Sequence, residues 1–314
     1  RFIMKASTLP SAAPQKSVWS KILAHRQYYY LLIPAILWYA VFAYGPLYGL
    51  QIAFKNYRPS LGIWGSPWVG MKHFLRFFSF PDFWKLIRNT VLISVYSICT
   101  FPIGIIFALM INELQNQKFK KTVQMLTYAP HFISTVVVCG MILLFFNQSY
   151  GIINNIRAFF GMERIPFMEE ARYFRSLYVG SGIWQGLGWS TIIYLAALAG
   201  VSPELVEAAR IDGATRFQII RYVNVPTIMP TIIILFIMNF GSILSVGFEK
   251  IFLLQNSLNL SVSQVISTYV YNVGLISSQY SYSTAIGLFN TIINITLLII
   301  VNLIVSKITE ISLW

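Results

Sequence analysis

The sequence predicts an all-α membrane protein with six transmembrane helices, and three observations carry that expectation. Of its 314 residues, 56% are hydrophobic and 11% charged, with a mean hydropathy of +0.65; an ordinary soluble domain is about one quarter charged. Six apolar windows approach the length of about 20 residues that a helix needs to cross roughly 30 Å of hydrocarbon. Within those windows there is essentially no Asp, Glu, Lys or Arg away from the ends.

In chain order the expected spans are about 29–54, 90–112, 122–146, 176–200, 231–248 and 284–307. They divide the chain into an N-terminal segment 1–28, a membrane domain 29–308 and a tail 309–314. The chain begins at Arg1, as a trimmed or processed chain would. Trp19, Ile22, Leu23 and Arg26 of "SVWSKILAHR" fit an interfacial amphipathic turn or two. The first span is too long for a signal-peptide core and no A-x-A site follows it, so it is read as retained.

Residues 55–88, rich in Gly, Pro and aromatics, space Phe74, Phe77 and Phe78 like a helix and read as a folded cap at the membrane surface. Segment 147–175 reads as a small structured loop, and 249–283 as a polar one whose only charges are Glu249 and Lys250. An even number of spans puts both termini on one side. Basic residues favour cytoplasmic loops, but here they divide almost evenly between the two sides. The basic head (Arg1, Lys5, Lys16, Lys21, Arg26) and the Lys118/Lys120/Lys121 cluster lean toward cytoplasmic termini.

Several chemistries have no motif in the chain. There is no Gly-Lys pair, hence no P-loop for ATP, and no H-E-x-x-H, C-x-x-C or G-x-S-x-G. No catalytic residue and no metal ligand set is assigned. The net charge of +13 is spread over every loop, which suits juxtamembrane anchoring to lipid rather than a nucleic-acid surface. Cys99 and Cys139 both fall in expected spans as small buried thiols. Gly182-x-x-x-Gly186 reads as a site of close helix packing.

One stretch departs from the oily pattern. "SPELVEAARIDGATRFQIIRYVNVPTIMP", from Ser202 to Pro230, crowds charges and alanines around Gly213. Ser202 offers a capping hydroxyl, Pro203 sits where its missing N–H is harmless, and Glu204 meets the positive end of the helix dipole. Leu205, Ala208, Ala209 and Asp212 then share one face of a short helix. Asp212-Gly213 supplies a turn, since glycine takes positive φ freely. A second helix starts near Thr215, and Pro226 and Pro230 are expected to limit it before the fifth span. From spacing alone this could be an ordinary amphipathic connector.

"EAARIDGA" (Glu207, Ala208, Ala209, Asp212, Gly213 and Ala214), with Pro226 downstream, resembles the EAA motif of permease subunits of bacterial ABC importers. Val225 stands where that family commonly has Leu. The resemblance extends over nearly the whole chain, including "NYRPSLGIWGSPWVGMKHF", and is strongest to the carbohydrate-uptake branch that imports oligo- and polysaccharides, including permeases for alginate and related uronates. It implies a type I ABC importer permease fold with cytoplasmic termini in the bacterial inner membrane. It also implies a second homologous permease, two ATP-binding subunits that carry ATP and Mg2+, and an extracytoplasmic solute-binding protein. This chain itself would bind no cofactor. The loop 201–230 would dock on the ATPase, through Glu207, Ala208, Ala209, Asp212, Gly213 and Arg216.

Saccharides are held by aromatic faces and by amides or hydroxyls. Candidates for the sugar path are Gln185, Trp189 and Tyr194 in the fourth span, Asn239 and Ser242 in the fifth, and Asn290 with Asn294 in the sixth. Each could instead serve inter-helix bonding or interfacial anchoring. With the family's topology the external loops carry 11 basic and 5 acidic residues, a mouth that would attract an acidic saccharide. A permease for a neutral oligosaccharide and an ion-coupled secondary sugar transporter stay open as alternatives, although the uncharged spans weigh against the latter.

Overall fold

The computed structural model describes residues 26–313, so the amphipathic turn expected around Trp19 lies outside the described residues. Those residues belong to two units that divide between Gln51 and Ile52. The first unit is a helical rod. Helix α1 (Arg26–Trp38) contains Pro34 and passes into a π-helical stretch, Tyr39–Tyr44, and a 3-10 stretch, Gly45–Phe54. The last residues of that rod, from Ile52, go with the second unit.

Within the second unit the expected cap is a folded one. Lys55 and Trp68 form an isolated antiparallel bridge, and α2 (Lys72–Phe78) buries His73, Phe74 and Phe77. Burial pushes the His73 imidazole below its ordinary range, while the Lys55 carbonyl, 3.1 Å from Nε2, opposes the shift.

Six membrane crossings require two bent pairs. Four helical segments are long and apolar enough to span alone, six if each bent pair counts as one. The second crossing, Phe83–Asn112, joins α3 (Phe83–Cys99) to α4 (Phe101–Asn112) at Thr100 and begins seven residues earlier than the 90 expected. The third, expected as a span over 122–146, is broken in two. Helix α5 (Gln117–Tyr128), ending in a 3-10 turn Ala129–Phe132, meets α6 (Thr135–Phe145) at 97°. Pro130 interrupts the first helix, Ile133 is extended, and the Ser134 hydroxyl caps the second by accepting from the Val137 N–H.

After α7 (Ile152–Phe159) comes the hub, α8 (Ala171–Leu198), which packs against α3, α4, α5 and the helix of the fifth crossing. Its close approaches are not at Gly182 and Gly186, as expected. A Cβ at Gly188 would overlap the Thr127 carbonyl of α5, and one at Gly104 of α4 would lie 2.8 Å from Ser190 Oγ. Gly182 and Gly186 have room beside them, Gly186 with nothing within 4 Å of such a Cβ.

At its far end α8 turns by 78° into α9 (Pro203–Ile211). Next, α10 (Arg216–Ile219) does not stop at the prolines. It continues through a π-helical stretch, Ile220–Asn224, into α11 (Val225–Phe240), so one helix runs from Arg216 to Phe240 and ends eight residues before the 248 expected. The wider π turn carries the Val225 N–H to the Ile220 carbonyl, and the ladder is thus already offset where Pro226 lacks its donor.

Residues 249–283, expected to be a polar loop, instead enter the core. Helices α12 (Phe248–Leu254) and α13 (Ile266–Tyr271) bury Ile251, Leu254, Val265 and Ile266 among Ile93, Val138, Phe174 and Phe77. The amides in this stretch turn inward: Asn259 Nδ2 donates to the carbonyls of Met168 and Leu254. The long last helix α14 (Tyr280–Thr309) packs on α2, α11 and α13. Cys139 is buried as expected, whereas Cys99 is exposed.

Candidate functional site

Two places in the second unit combine unusual chemistry with access. The first is the turn between α9 and α10. Gly213 has φ of +78°, the left-handed value expected for this position, and the Ala214 N–H closes the turn on the Ala209 carbonyl at 2.9 Å. Thr215 caps α10 in a capping box with Gln218, whose Oε1 accepts from the Thr215 backbone N–H at 2.7 Å. Ser202 makes no capping bond with its side chain; Pro203 and Glu204 alone mark that end.

No residue of α9 is buried. Glu207, Ala208, Asp212, Gly213 and Arg216 are exposed and Ala209 is half-buried. Beside them Leu205, Ile211 and Phe217 are 56%, 86% and 69% exposed. Small residues thus sit among large apolar ones and charges of both signs, on a segment whose backbone path is set by caps at its turn.

The second place is a cavity of about 580 Å³ walled by α3, α4, α8, α11 and the approach to α12. Four of the sequence-derived path residues line it: Gln185, Tyr194, Asn239 and Ser242. Gln185 also ties α8 to the break in the third crossing, donating to the Ile133 carbonyl at 2.9 Å. Tyr194 is held in a buried cluster with Ala108, Leu198 and Ile228.

The other three candidates lie elsewhere. Trp189, about half exposed, stacks on His131 with ring centroids 4.3 Å apart and planes 5° from parallel. Asn290 lines a separate cavity, near Tyr271 and Gly274. Asn294 is buried and structural: it accepts from the Leu244 N–H at 3.0 Å and donates to Ser245 Oγ at 3.0 Å, fixing the end of the fifth crossing.

Sequence reasoning missed several lining groups. Ser94, Ser97, Tyr178, Gly182 and Lys250 all face the cavity. Ser94 and Ser97 repeat at helical spacing on one face of an otherwise apolar helix, a signal that could have been read. Lys250 carried no such signal, because it stands in a stretch with the composition of a solvated loop. Among the described residues no group of His, Cys, Asp or Glu could hold a metal ion.

Residues 100–310 match the family described as "Binding-protein-dependent transport system inner membrane component". The chain is 40% identical over 297 residues to the polygalacturonan/rhamnogalacturonan transport system permease protein YteP of Bacillus subtilis, covering 94% of this chain and 92% of that one. It is 42% identical over 287 residues to the protein LplB of the same organism, covering 91% and 90%. Among solved structures it superposes with a TM-score of 0.86, at 38% identity over 93% of this chain and 99% of the other, on a bacterial ABC transporter involved in the import of the acidic polysaccharide alginate.

Proposed function

The chain belongs to the binding-protein-dependent transport system inner membrane components, and from that premise we propose that it is one of two paired permeases of an ATP-driven importer of acidic oligo- or polysaccharides. As a member of this family it is a permease subunit of a sugar ABC importer and a non-catalytic transport component of the inner membrane. The finer reading concerns how it is driven and what it carries.

The exposed helix–Gly–helix at 203–219 supports the drive. A surface of exposed Leu205, Ile211 and Phe217 around small Ala208 suits a partner that approaches closely, and the chain has no P-loop of its own. In this reading the loop is cytoplasmic, as are both termini, and docks on an ATPase through Glu207, Ala208, Ala209, Asp212, Gly213 and Arg216. ATP on the two ATPases and a loaded binding protein outside both favour one state of the permease pair, which is what couples hydrolysis to transport.

The relatives named above for polygalacturonan and for alginate support an acidic cargo. So does the basic excess of the loops that this topology makes external.

The test is direct. Ala208 is exposed, so Ala208→Trp should leave the folded subunit in the membrane while abolishing sugar-stimulated ATPase activity of the assembled importer. Gly213→Pro, which denies the backbone its φ of +78°, should do the same. Unchanged stimulation in both would remove the docking assignment.

A further inference from the structure

Lys250 is the one cationic side chain that lines the cavity, and it is 9% exposed. A buried ammonium is strongly disfavoured unless something pairs with it. Yet the two ion pairs among the described residues, Lys85–Asp82 and Arg172–Glu170, involve neither Lys250 nor any residue of the cavity. What holds Lys250 is neutral. Its Nζ donates to the Tyr178 carbonyl at 3.0 Å and lies 5.1 Å from the centroid of the Tyr178 ring. That uses one of three N–H donors and leaves the charge without a counter-ion. Burial pushes this ammonium down to about 8, which still leaves it protonated at neutral pH.

Small residues flank the site. A Cβ on Gly182, one turn beyond Tyr178 on α8, would stand 3.5 Å from Nζ, at ordinary contact distance, so Nζ lies directly beside this glycine. A Cβ on Gly247 would stand 3.2 Å from Tyr178 Oη. The backbone is fixed by Ile251 and Leu254 in the core, with Cys139 Sγ 3.9 Å from the Lys250 carbonyl. The rest of the polar lining, including Ser94, Gln185, Asn239 and Ser242, is uncharged. Amides and hydroxyls suit the hydroxyls common to all sugars, whereas a lone rigid ammonium discriminates for an anion.

We propose that Lys250 is the residue of the translocation cavity that recognises a carboxylate of the saccharide, donating its spare N–H groups to one uronate at a time. This rests on the acidic-saccharide reading above. A single cation in an otherwise neutral wall offers one charged subsite, so successive uronates of a chain exchange on it rather than being held together.

The experiment uses the whole importer, with its ATPases and binding protein, reconstituted in proteoliposomes and supplied with oligogalacturonate or oligomannuronate. Lys250→Gln, which keeps a donor for the Tyr178 carbonyl but removes the charge, should lower uptake at least tenfold, mainly by raising KM; Lys250→Arg should recover uptake to within about threefold of wild type. The melting temperature of the Lys250→Gln complex should equal or exceed that of wild type, because an unpaired buried charge is gone. Wild-type uptake of these oligomers that persists unchanged in Lys250→Gln overturns the role of Lys250 alone. A fall accompanied by a lowered melting temperature, with no recovery in Lys250→Arg, also overturns it, since the residue would then be structural. Failure of wild type to take up either oligomer, while it takes up a neutral one, overturns the acidic reading and this inference together.

Discussion

The loop around Gly213 and the cavity around Lys250 are built in opposite ways. The loop is contiguous, exposed and without a core of its own, and its shape comes from one glycine, one capping box and one proline. The cavity is assembled from residues as far apart as Ser94 and Lys250, and its walls are the buried framework itself. The exposed loop can therefore change without loss of the fold, whereas most changes near the cavity reach the packing that makes it.

Four substitutions would break or sharpen that contrast. The largest effect is expected at Gly188, where a side chain meets the Thr127 backbone, which cannot retreat as a side chain end would. Gly188→Val should cost about 3 kcal/mol or more, because it overpacks α8 against α5, and should strip the protein from the membrane fraction; normal abundance and melting would show that the hub is looser than it looks.

Next, Asn294→Leu leaves the Leu244 N–H without its acceptor and should destabilise by about 1–3 kcal/mol, lowering the melting temperature. Were Asn294 a sugar ligand instead, uptake would fall with the melting temperature unchanged. Gly213→Ala finds open space but an unfavourable φ, which costs about 1–2 kcal/mol. That strain should fall on the loop alone, weakening ATPase stimulation while global melting stays put. The smallest effect is Thr215→Ala, which removes one cap worth about 1 kcal/mol and should speed amide hydrogen exchange in α10 without altering exchange in α8.

The same contrast explains what could be read from the sequence. The loop was legible because its signals lie within thirteen residues: Pro203 and Glu204 at the start, Gly213 at the turn and Thr215 at the restart. Its prolines misled, since Pro226 follows a π turn that offsets the ladder and Pro230 lies inside the same continuing helix, so neither ends it. The apolar windows predicted helices of crossing length, four alone and six if each bent pair counts as one, but the 97° bend at Phe132 needed the combination of Pro130 and the Ser134 cap to be weighed above hydropathy.

Gln185, Tyr194, Asn239 and Ser242 could be nominated because polar groups in a span must face something polar. Asn294 meets the same demand by bonding to the Leu244 N–H and Ser245 Oγ away from the cavity, so residue type alone could not separate cavity-lining groups from framework ones. Lys250 was hidden for the converse reason. Its neighbours Asn256, Asn259 and Ser263 look solvated in sequence, yet they satisfy one another and the Met168 carbonyl inside the fold, and so carry the lysine into the interior with them.

A helix of nine residues without one buried side chain is shorter than the ~12–15 residues at which isolated helices persist in water. Only Val206 and Ala209 of Pro203–Ile211 are half-buried, so its own chain anchors it weakly between its two ends. A peptide of this sequence would be mostly unstructured, and within the protein its amides should be among the first to exchange with solvent. Any molecule that covers it must meet the entropy cost of ordering it, and its grip should show as slowed exchange across these nine residues.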